Sequence, residues 1–283
     1  MLGKLLKHEW KVVWKVPMLL IGILMIMAMV AGFTFVLPVW GSEWVGLPLS
    51  GMMLIMLFYF SMIAVSVGIT IYFAVRYYKN MFTDEGYLTH TLPVSARQLL
   101  LNKVITMSAW NLISLIAVGL SLVLFAGITL WALTPKDSSF AREVIETFAE
   151  LMEEWPELIR SPYMRGFTGF CVSILFMILA GSFSGTMMVI GSISLGQMVR
   201  KHRILGAIGA YFAINTVVQM VNMIIIFPVM FGFQNTMSRW DMDVSPFPVF
   251  TRFYGILTAV TLAVAVGLYF LSEYLIRRQL ELE

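Results

Sequence analysis

Apolar residues occur in six long runs that are separated by shorter polar segments. The runs cover residues 17–39, 47–75, 104–133, 167–195, 204–233 and 253–276. Each run reaches the about 20 residues that an α-helix needs to cross a bilayer. Apolar and polar residues do not alternate within the runs, as they would in the strands of a membrane barrel. The pattern therefore predicts an all-α polytopic membrane protein with six transmembrane helices in a single domain over residues 1–283.

Composition supports a membrane protein and argues against a soluble one. Hydrophobic residues make up 59% of the 283 residues and charged residues 12%, whereas soluble domains are about 45–50% apolar and about 25% charged. The second and third runs are longer than a bilayer needs, so we expect their helices to continue beyond it. The net charge of +3 is too small to indicate a nucleic-acid partner. The single cysteine, Cys171, excludes a disulfide within the chain.

The basic residues predict how the chain is oriented in the membrane. With the N-terminus in the cytoplasm, the inner segments contain 13 of the 19 Lys and Arg residues and the outer segments contain six. Cytoplasmic loops usually carry this excess of basic residues. Because six spans are an even number, both termini are expected to be cytoplasmic.

Residues 1–16 have the pattern of an amphipathic helix. Apolar residues recur at helical spacing, and four lysines take the opposite side: Leu2, Leu5, Leu6, Trp10 and Val13 against Lys4, Lys7, Lys11 and Lys15. This pattern favours a helix that lies in the membrane interface, with its lysines near anionic headgroups. The alternative is a basic cluster that only keeps the N-terminus inside.

The long outer loop, residues 134–165, is acidic and also predicts an amphipathic helix. Apolar residues recur in it at spacings of three and four, and Pro156 is expected to end or kink the helix. One interpretation is an external gate or a collar that meets a second subunit. The other is a helix that rests on the outer headgroups or on its own bundle.

Two groups of residues inside the predicted spans are candidates for contacts between helices or with a substrate. Gly181 and Gly185 form a G-x-x-x-G pair, which allows close helix packing within the subunit or across a dimer. Asn215, Gln219 and Asn222 fall on one face of the fifth span. Amides in hydrocarbon need hydrogen-bond partners, so this face is expected either to bond to other helices or to line a substrate path.

Residues 76–103 predict a cytoplasmic helical hairpin between the second and third spans. Gly86 suits the end of one helix, and Ser95 with Gln98 forms a capping box that opens the next. Pro93 prevents a helix from continuing through the residue before it. We interpret the protruding turn as a docking element. The alternative is a hairpin that packs on its own bundle.

The usual catalytic signatures are missing from the sequence. His8, His90 and His202 lie outside the spans, and no H-E-x-x-H occurs. No acidic residue lies in the middle of a predicted span, and no G-x-x-x-x-G-K-[ST] is present. We therefore expect no enzyme activity, no metal site and no cofactor bound by this chain. Such a protein must either conduct its substrate passively or use energy that another protein supplies.

Two segments resemble the permease subunits of bacterial ABC-2-type transporters. They are YYKNMFTDEGYLTHTLPVS, residues 77–95, and KLLKHEWK, residues 4–11. The resemblance implies an exporter in the bacterial cell membrane, in which two permease subunits, identical or different, pair with separate ATP-binding cassette ATPases. It implies that ATP and Mg²⁺ bind in the ATPase. It also implies that the hairpin is the ATPase-coupling contact, formed by Thr83, Asp84, Glu85, Gly86, Tyr87, Leu88, Leu92 and Pro93.

Two other functional classes compete with the permease. A membrane sensor or assembly partner that transports nothing could use the same hairpin to bind a cytosolic protein. An intramembrane enzyme is disfavoured because the catalytic residues are missing. Members of the permease family export peptides, antibiotics, lipids, polymers or ions, and the amide face does not select among these substrates.

Overall fold

The computed structural model describes residues 2–37, 40, 45–83, 95–133, 139–199, 201–237 and 245–278. Within these ranges the chain forms eight α-helices, one 3₁₀ turn at Pro162–Met164 and no strand, which confirms the all-α class. The helices are α1 (Leu2–Val13), α2 (Lys15–Phe33), α3 (Gly46–Phe82), α4 (Ala96–Leu133), α5 (Ser139–Arg160), α6 (Phe167–Gly196), α7 (Arg203–Met237) and α8 (Phe247–Arg278).

Six of these helices are long and apolar enough to cross a membrane: α2, α3, α4, α6, α7 and α8. The predicted number of spans is therefore confirmed, and the chain has the character of a multi-pass membrane protein. The cytoplasmic placement of the termini stays a prediction. So does the interfacial placement of α1.

Several helix boundaries differ from the sequence prediction. Helices α3 and α4 contain 37 and 38 residues, so both continue beyond a bilayer's thickness as expected. Helix α7 passes through Pro228 to Met237, and α8 begins at Phe247, so both helices extend beyond the apolar runs 204–233 and 253–276. Likewise, α5 passes through Pro156 to Arg160, so the helix does not end at this proline, and a kink there stays a prediction. A proline removes only one backbone donor, and neighbouring turns can hold the helix together around it.

The chain divides into two compact units, and α3 and α4 each contribute to both. The first unit contains Met1–Leu6, Phe73–Ala109 and Pro156–Glu283. The second contains Lys7–Tyr72 and Trp110–Trp155. The two arms of the predicted hairpin, at the end of α3 and the start of α4, thus belong to the same unit as α6, α7 and α8.

Helix α6 lies at the centre of the first unit. It packs extensively on α8 and on α7, while α7 and α8 touch each other little. Small residues make this packing close: a Cβ at Gly191 would lie 3.1 Å from Leu268 Cδ2, and one at Gly196 would overlap the backbone of Ala207. Helix backbones approach this closely only where side chains are small.

The second unit is held by aromatic contacts and by one close glycine. Phe58 of α3 stacks on Phe125 of α4 with ring centroids 5.2 Å apart. A Cβ at Gly32 of α2 would lie 2.9 Å from Ile128 Cβ, so these two helices also touch. Trp10 of α1 stacks on Trp110 at 5.1 Å. Part of the apolar side of α1 therefore packs on the protein itself.

Helix α1 leads into α2 without a loop. Trp14 has helical backbone angles, its N–H bonds to the Trp10 carbonyl, and its carbonyl accepts from the Met18 N–H. The lysines of α1 at positions 4, 7 and 11 are exposed. An interfacial position for α1 would require the chain to bend near Pro17, which has no N–H to bond the preceding turn.

Candidate functional site

The hairpin's arms are packed elements with buried apolar faces. Tyr77 and Met81 are buried on α3, and Leu99 and Leu100 are buried on α4. Lys79 and Arg97 are exposed on the other sides of the same arms. An arm with a buried face inside a compact unit cannot move without displacing its neighbours, because packed interiors deform little.

The predicted helix start at Ser95 is confirmed. The backbone N–H of Gln98 donates to Ser95 Oγ at 3.3 Å, as expected for a serine that caps a helix. Thr83 follows the end of α3, and its hydroxyl donates to the Lys79 carbonyl at 2.7 Å. The remaining predicted coupling residues lie outside the described part of the chain: Asp84, Glu85, Gly86, Tyr87, Leu88, Leu92 and Pro93.

A buried tyrosine joins the first arm to α6. Its Tyr77 hydroxyl lies 3.4 Å from Ser194 Oγ, and both residues are buried. The single Ser194 hydroxyl proton points to the Ile190 carbonyl at 2.9 Å, so the tyrosine is the donor of the longer bond. The sequence motifs did not reveal this contact, because one serine among the many of the fourth span carries no signal.

A second hydrogen bond joins α6 to α4, just beyond the end of the other arm. Ser182 Oγ donates to the Ser108 carbonyl of α4 at 2.7 Å. Side-chain bonds between helices usually involve such small hydroxyl residues in membrane proteins. The first arm is therefore hydrogen-bonded to the central helix of the first unit, and the second arm continues into a part of α4 that is also bonded to it.

Several buried oxygens in the first unit have no hydrogen-bond partner among the described residues. Asn102 Oδ1 and Thr106 Oγ1 lie one turn apart on α4, and Tyr269 OH and Ser272 Oγ lie one turn apart on α8. Leaving such a group unpaired costs about 1–3 kcal/mol. A unit with this many unpaired polar atoms has hydrogen-bonding capacity available in its interior. The four-residue spacing of Asn102 and Thr106 places both on one face of α4, which could have been read from the sequence.

The three amides of α7 form no hydrogen bond to another helix among the described residues. Gln219 Nε2 donates to Asn215 Oδ1 along the same helix at 3.3 Å, and Gln219 is exposed. Asn222 Oδ1 is buried without a partner. Among the described residues, no interhelical bond supports the packing interpretation, which stays a prediction. The interpretation as a path lining stays a prediction.

Helix α7 is the least buried of the candidate spans. Large apolar side chains point outward along its length, including Phe212, Met223, Ile224 and Phe227, each more than 60% exposed. An apolar groove of about 400 Å³ separates it from α8, lined by Ala213, Ile214, Val217, Val218, Val221, Val264, Gly267 and Leu268. The amide face points away from this groove, because its residues fall on another side of the helix.

Gly181 and Gly185 do not make the close approaches in α6. A Cβ added at either position would meet no atom within 4 Å among those described, and both residues are exposed. Close packing on α6 is instead found at Gly191 and Gly196. Use of the G-x-x-x-G pair for packing within the subunit or in a dimer stays a prediction.

Within the described residues, no group of three or more His, Cys, Asp or Glu side chains could hold a metal ion. No family model, curated protein or solved structure matches this chain. The site is therefore characterised by its own contacts: two packed arms, on helices that are hydrogen-bonded to a central helix, and an amide face on a largely exposed span.

Proposed function

We propose that this chain is the membrane-spanning permease subunit of a bacterial ATP-binding cassette exporter. A separate ATPase docks on the hairpin at residues 76–103 and supplies the work, and a second permease subunit completes the transporter. The six candidate spans and the resemblance of residues 77–95 support this proposal. The chain contributes no nucleotide site, so ATP and Mg²⁺ belong to the partner.

The observation that carries the proposal is the membership of both hairpin arms in the α6–α8 unit. A partner that pulls or tilts the hairpin would move that unit with it, because Tyr77 of the first arm bonds to α6, and Ser108, just beyond the second arm on α4, accepts a bond from α6. A bistable packed unit is the kind of element through which a force at one site reaches another. A docking loop that was attached only at its ends would transmit much less of the partner's movement to the spans.

The amide face of α7 is the part of the substrate path that we assign to this chain. Asn215 and Gln219 already bond to each other, and the exposed Gln219 keeps donor and acceptor capacity for a passing polar group. Polar groups inside a membrane usually face a bundle interior or a water-filled cavity. In a dimer of permeases, such a cavity would lie between α7 and the second subunit.

The proposal is tested by purifying the tagged full chain from bacterial membranes and measuring the ATPase that accompanies it. Leu92→Asp at the hairpin places a charge in the apolar part of the predicted contact. We expect it to reduce the recovered ATPase severalfold, since burying an unpaired charge is costly. Glu150→Lys on α5 changes the charge by more, yet at an exposed position in the predicted outer loop, and should leave recovery unchanged.

Two results would contradict the proposal. One is normal recovery of the ATPase with Leu92→Asp. The other is a hairpin-dependent partner that hydrolyses no nucleotide, which would favour the sensor or assembly function instead.

A further inference from the structure

Helix α5 has two sharply separated faces. At 100° per residue, Phe148, Leu151 and Met152 fall on one side. The glutamates of the same helix centre on the opposite side: Glu143, Glu146, Glu150, Glu153, Glu154 and Glu157. A helix that is charged on one face and apolar on the other is built for a boundary between water and an apolar phase.

The apolar face is not covered by the described part of the chain. Phe148 is 64% exposed, Leu151 47% and Met152 49%. These large side chains are adjacent on the helix, so they form a continuous apolar patch, unlike single apolar residues scattered over a surface. The interpretation that α5 rests on its own bundle therefore does not account for this face.

The short connections of α5 keep it near the ends of two spans. Residues 134–138 link it to α4, and residues 161–166 link it to α6. With 22 residues, α5 is about 33 Å long. Six extended residues reach only about 21 Å. If α5 stood upright on the membrane, the second link would hold the start of α6 well above the surface, so the short links favour a helix that lies along the surface.

The charges of α5 indicate which kind of lipid headgroup the helix can lie against. The helix contains six Glu and two Arg residues, so its net charge is negative. Anionic headgroups would repel it, whereas zwitterionic headgroups would not. Lysine-rich helices that bind anionic membranes have the opposite charge.

We propose that α5 is an interfacial helix whose apolar face of Phe148, Leu151 and Met152 inserts into the lipid leaflet where α4 ends and α6 begins. Its glutamates face water, and it prefers a zwitterionic surface. The occupant of the apolar face is thus the bilayer itself. This assignment depends on the membrane-spanning character of α4 and α6 and not on the proposed transport function.

The test places a fluorophore on each face of α5 in the full chain. The exposed Cys171 is first replaced by Ser. Phe148→Cys and Met152→Cys then carry an environment-sensitive dye on the apolar face, with Glu146→Cys and Glu150→Cys as matched controls on the acidic face. Each protein is reconstituted in phosphatidylcholine vesicles, and quenching by nitroxide-labelled lipid is compared with quenching by iodide in water.

We expect lipid nitroxide to quench the dye at 148 and 152 severalfold more than at 146 and 150, and iodide to show the reverse order. Replacing part of the phosphatidylcholine with phosphatidylglycerol should weaken the lipid quenching. Strong iodide quenching on both faces would overturn the proposal. So would protection of positions 148 and 152 from both quenchers, because a second protein copy would then cover the face.

Discussion

At the scale of single residues, the bond between Tyr77 and Ser194 is the clearest link between the hairpin and the membrane core. Tyr77→Phe removes the hydroxyl and keeps the ring. Ser194 Oγ keeps its hydrogen bond to the Ile190 carbonyl in this variant. The free energy of unfolding should therefore fall by only about 1 kcal/mol. The measurement is the thermal stability of the purified protein in detergent.

The neighbouring Tyr78→Phe is the matched control, since Tyr78 is less buried and its hydroxyl makes no hydrogen bond to a described residue. Only the change at position 77 should lower the melting temperature. Equal melting temperatures for both variants would show that the Tyr77 hydroxyl contributes nothing.

The glycines of α6 allow a second test at residue scale. Gly196→Ala would push a methyl group into the backbone of Ala207, and backbone cannot rotate away as a side chain can. We expect a loss of about 1–3 kcal/mol, as is usual for overpacking. Gly185→Ala meets no described atom within 4 Å and should be neutral or slightly stabilising by its helix propensity. The same melting experiment compares them, and the reverse order of stability would contradict the packing described for α6.

At the scale of elements, the long runs predicted the six spans because length and apolar composition decide whether a segment can cross a bilayer. The contacts between helices were less predictable. Gly181 and Gly185 match a known packing pattern, yet the close approaches lie at Gly191 and Gly196, where no motif marks them. Which glycine meets a neighbour depends on the rotation of each helix, and a uniformly apolar span carries little periodic signal to fix that rotation.

Helix ends were also poorly predicted, and for a related reason. Pro156 was expected to end or kink its helix, yet α5 continues past it, and α7 likewise continues through Pro228. Membrane helices tolerate proline because neighbouring groups take up the freed carbonyl. The cap at Ser95 was predictable because a side chain and a backbone N–H three residues apart define it locally.

The amide face gives the prediction at element scale. In the Cys171→Ser background, cysteines at Asn215 and Gln219 should react with a small membrane-impermeant thiol reagent if they line a water-filled path. A cysteine at Ile224, which is 72% exposed and lies on the opposite side of α7 from Asn215, should face lipid and stay unreactive. Equal reactivity at all three positions, or none at 215 and 219, would contradict a path along this face.

At the scale of the whole molecule, the division into two units explains how a movement of the hairpin could reach the proposed substrate path. One unit combines the hairpin arms with α6, α7 and α8, and the other combines α2 with the remaining parts of α3 and α4. The amide face and the hairpin arms therefore belong to the same unit. A motor that displaces the arms is expected to displace the amide face with them, which is how an ATPase outside the membrane could act on a path inside it.

The most direct measurement of the central claim is photo-crosslinking from the hairpin in intact cells. A photoreactive amino acid replaces Tyr87 at the predicted contact, and a second variant carries it at Glu150 on α5 as the control. The account predicts that position 87, and not position 150, captures an ATP-binding cassette ATPase whose hydrolysis is retained in the purified adduct. Capture of no nucleotide-hydrolysing protein at position 87, or labelling of that position from outside the cell, would contradict it.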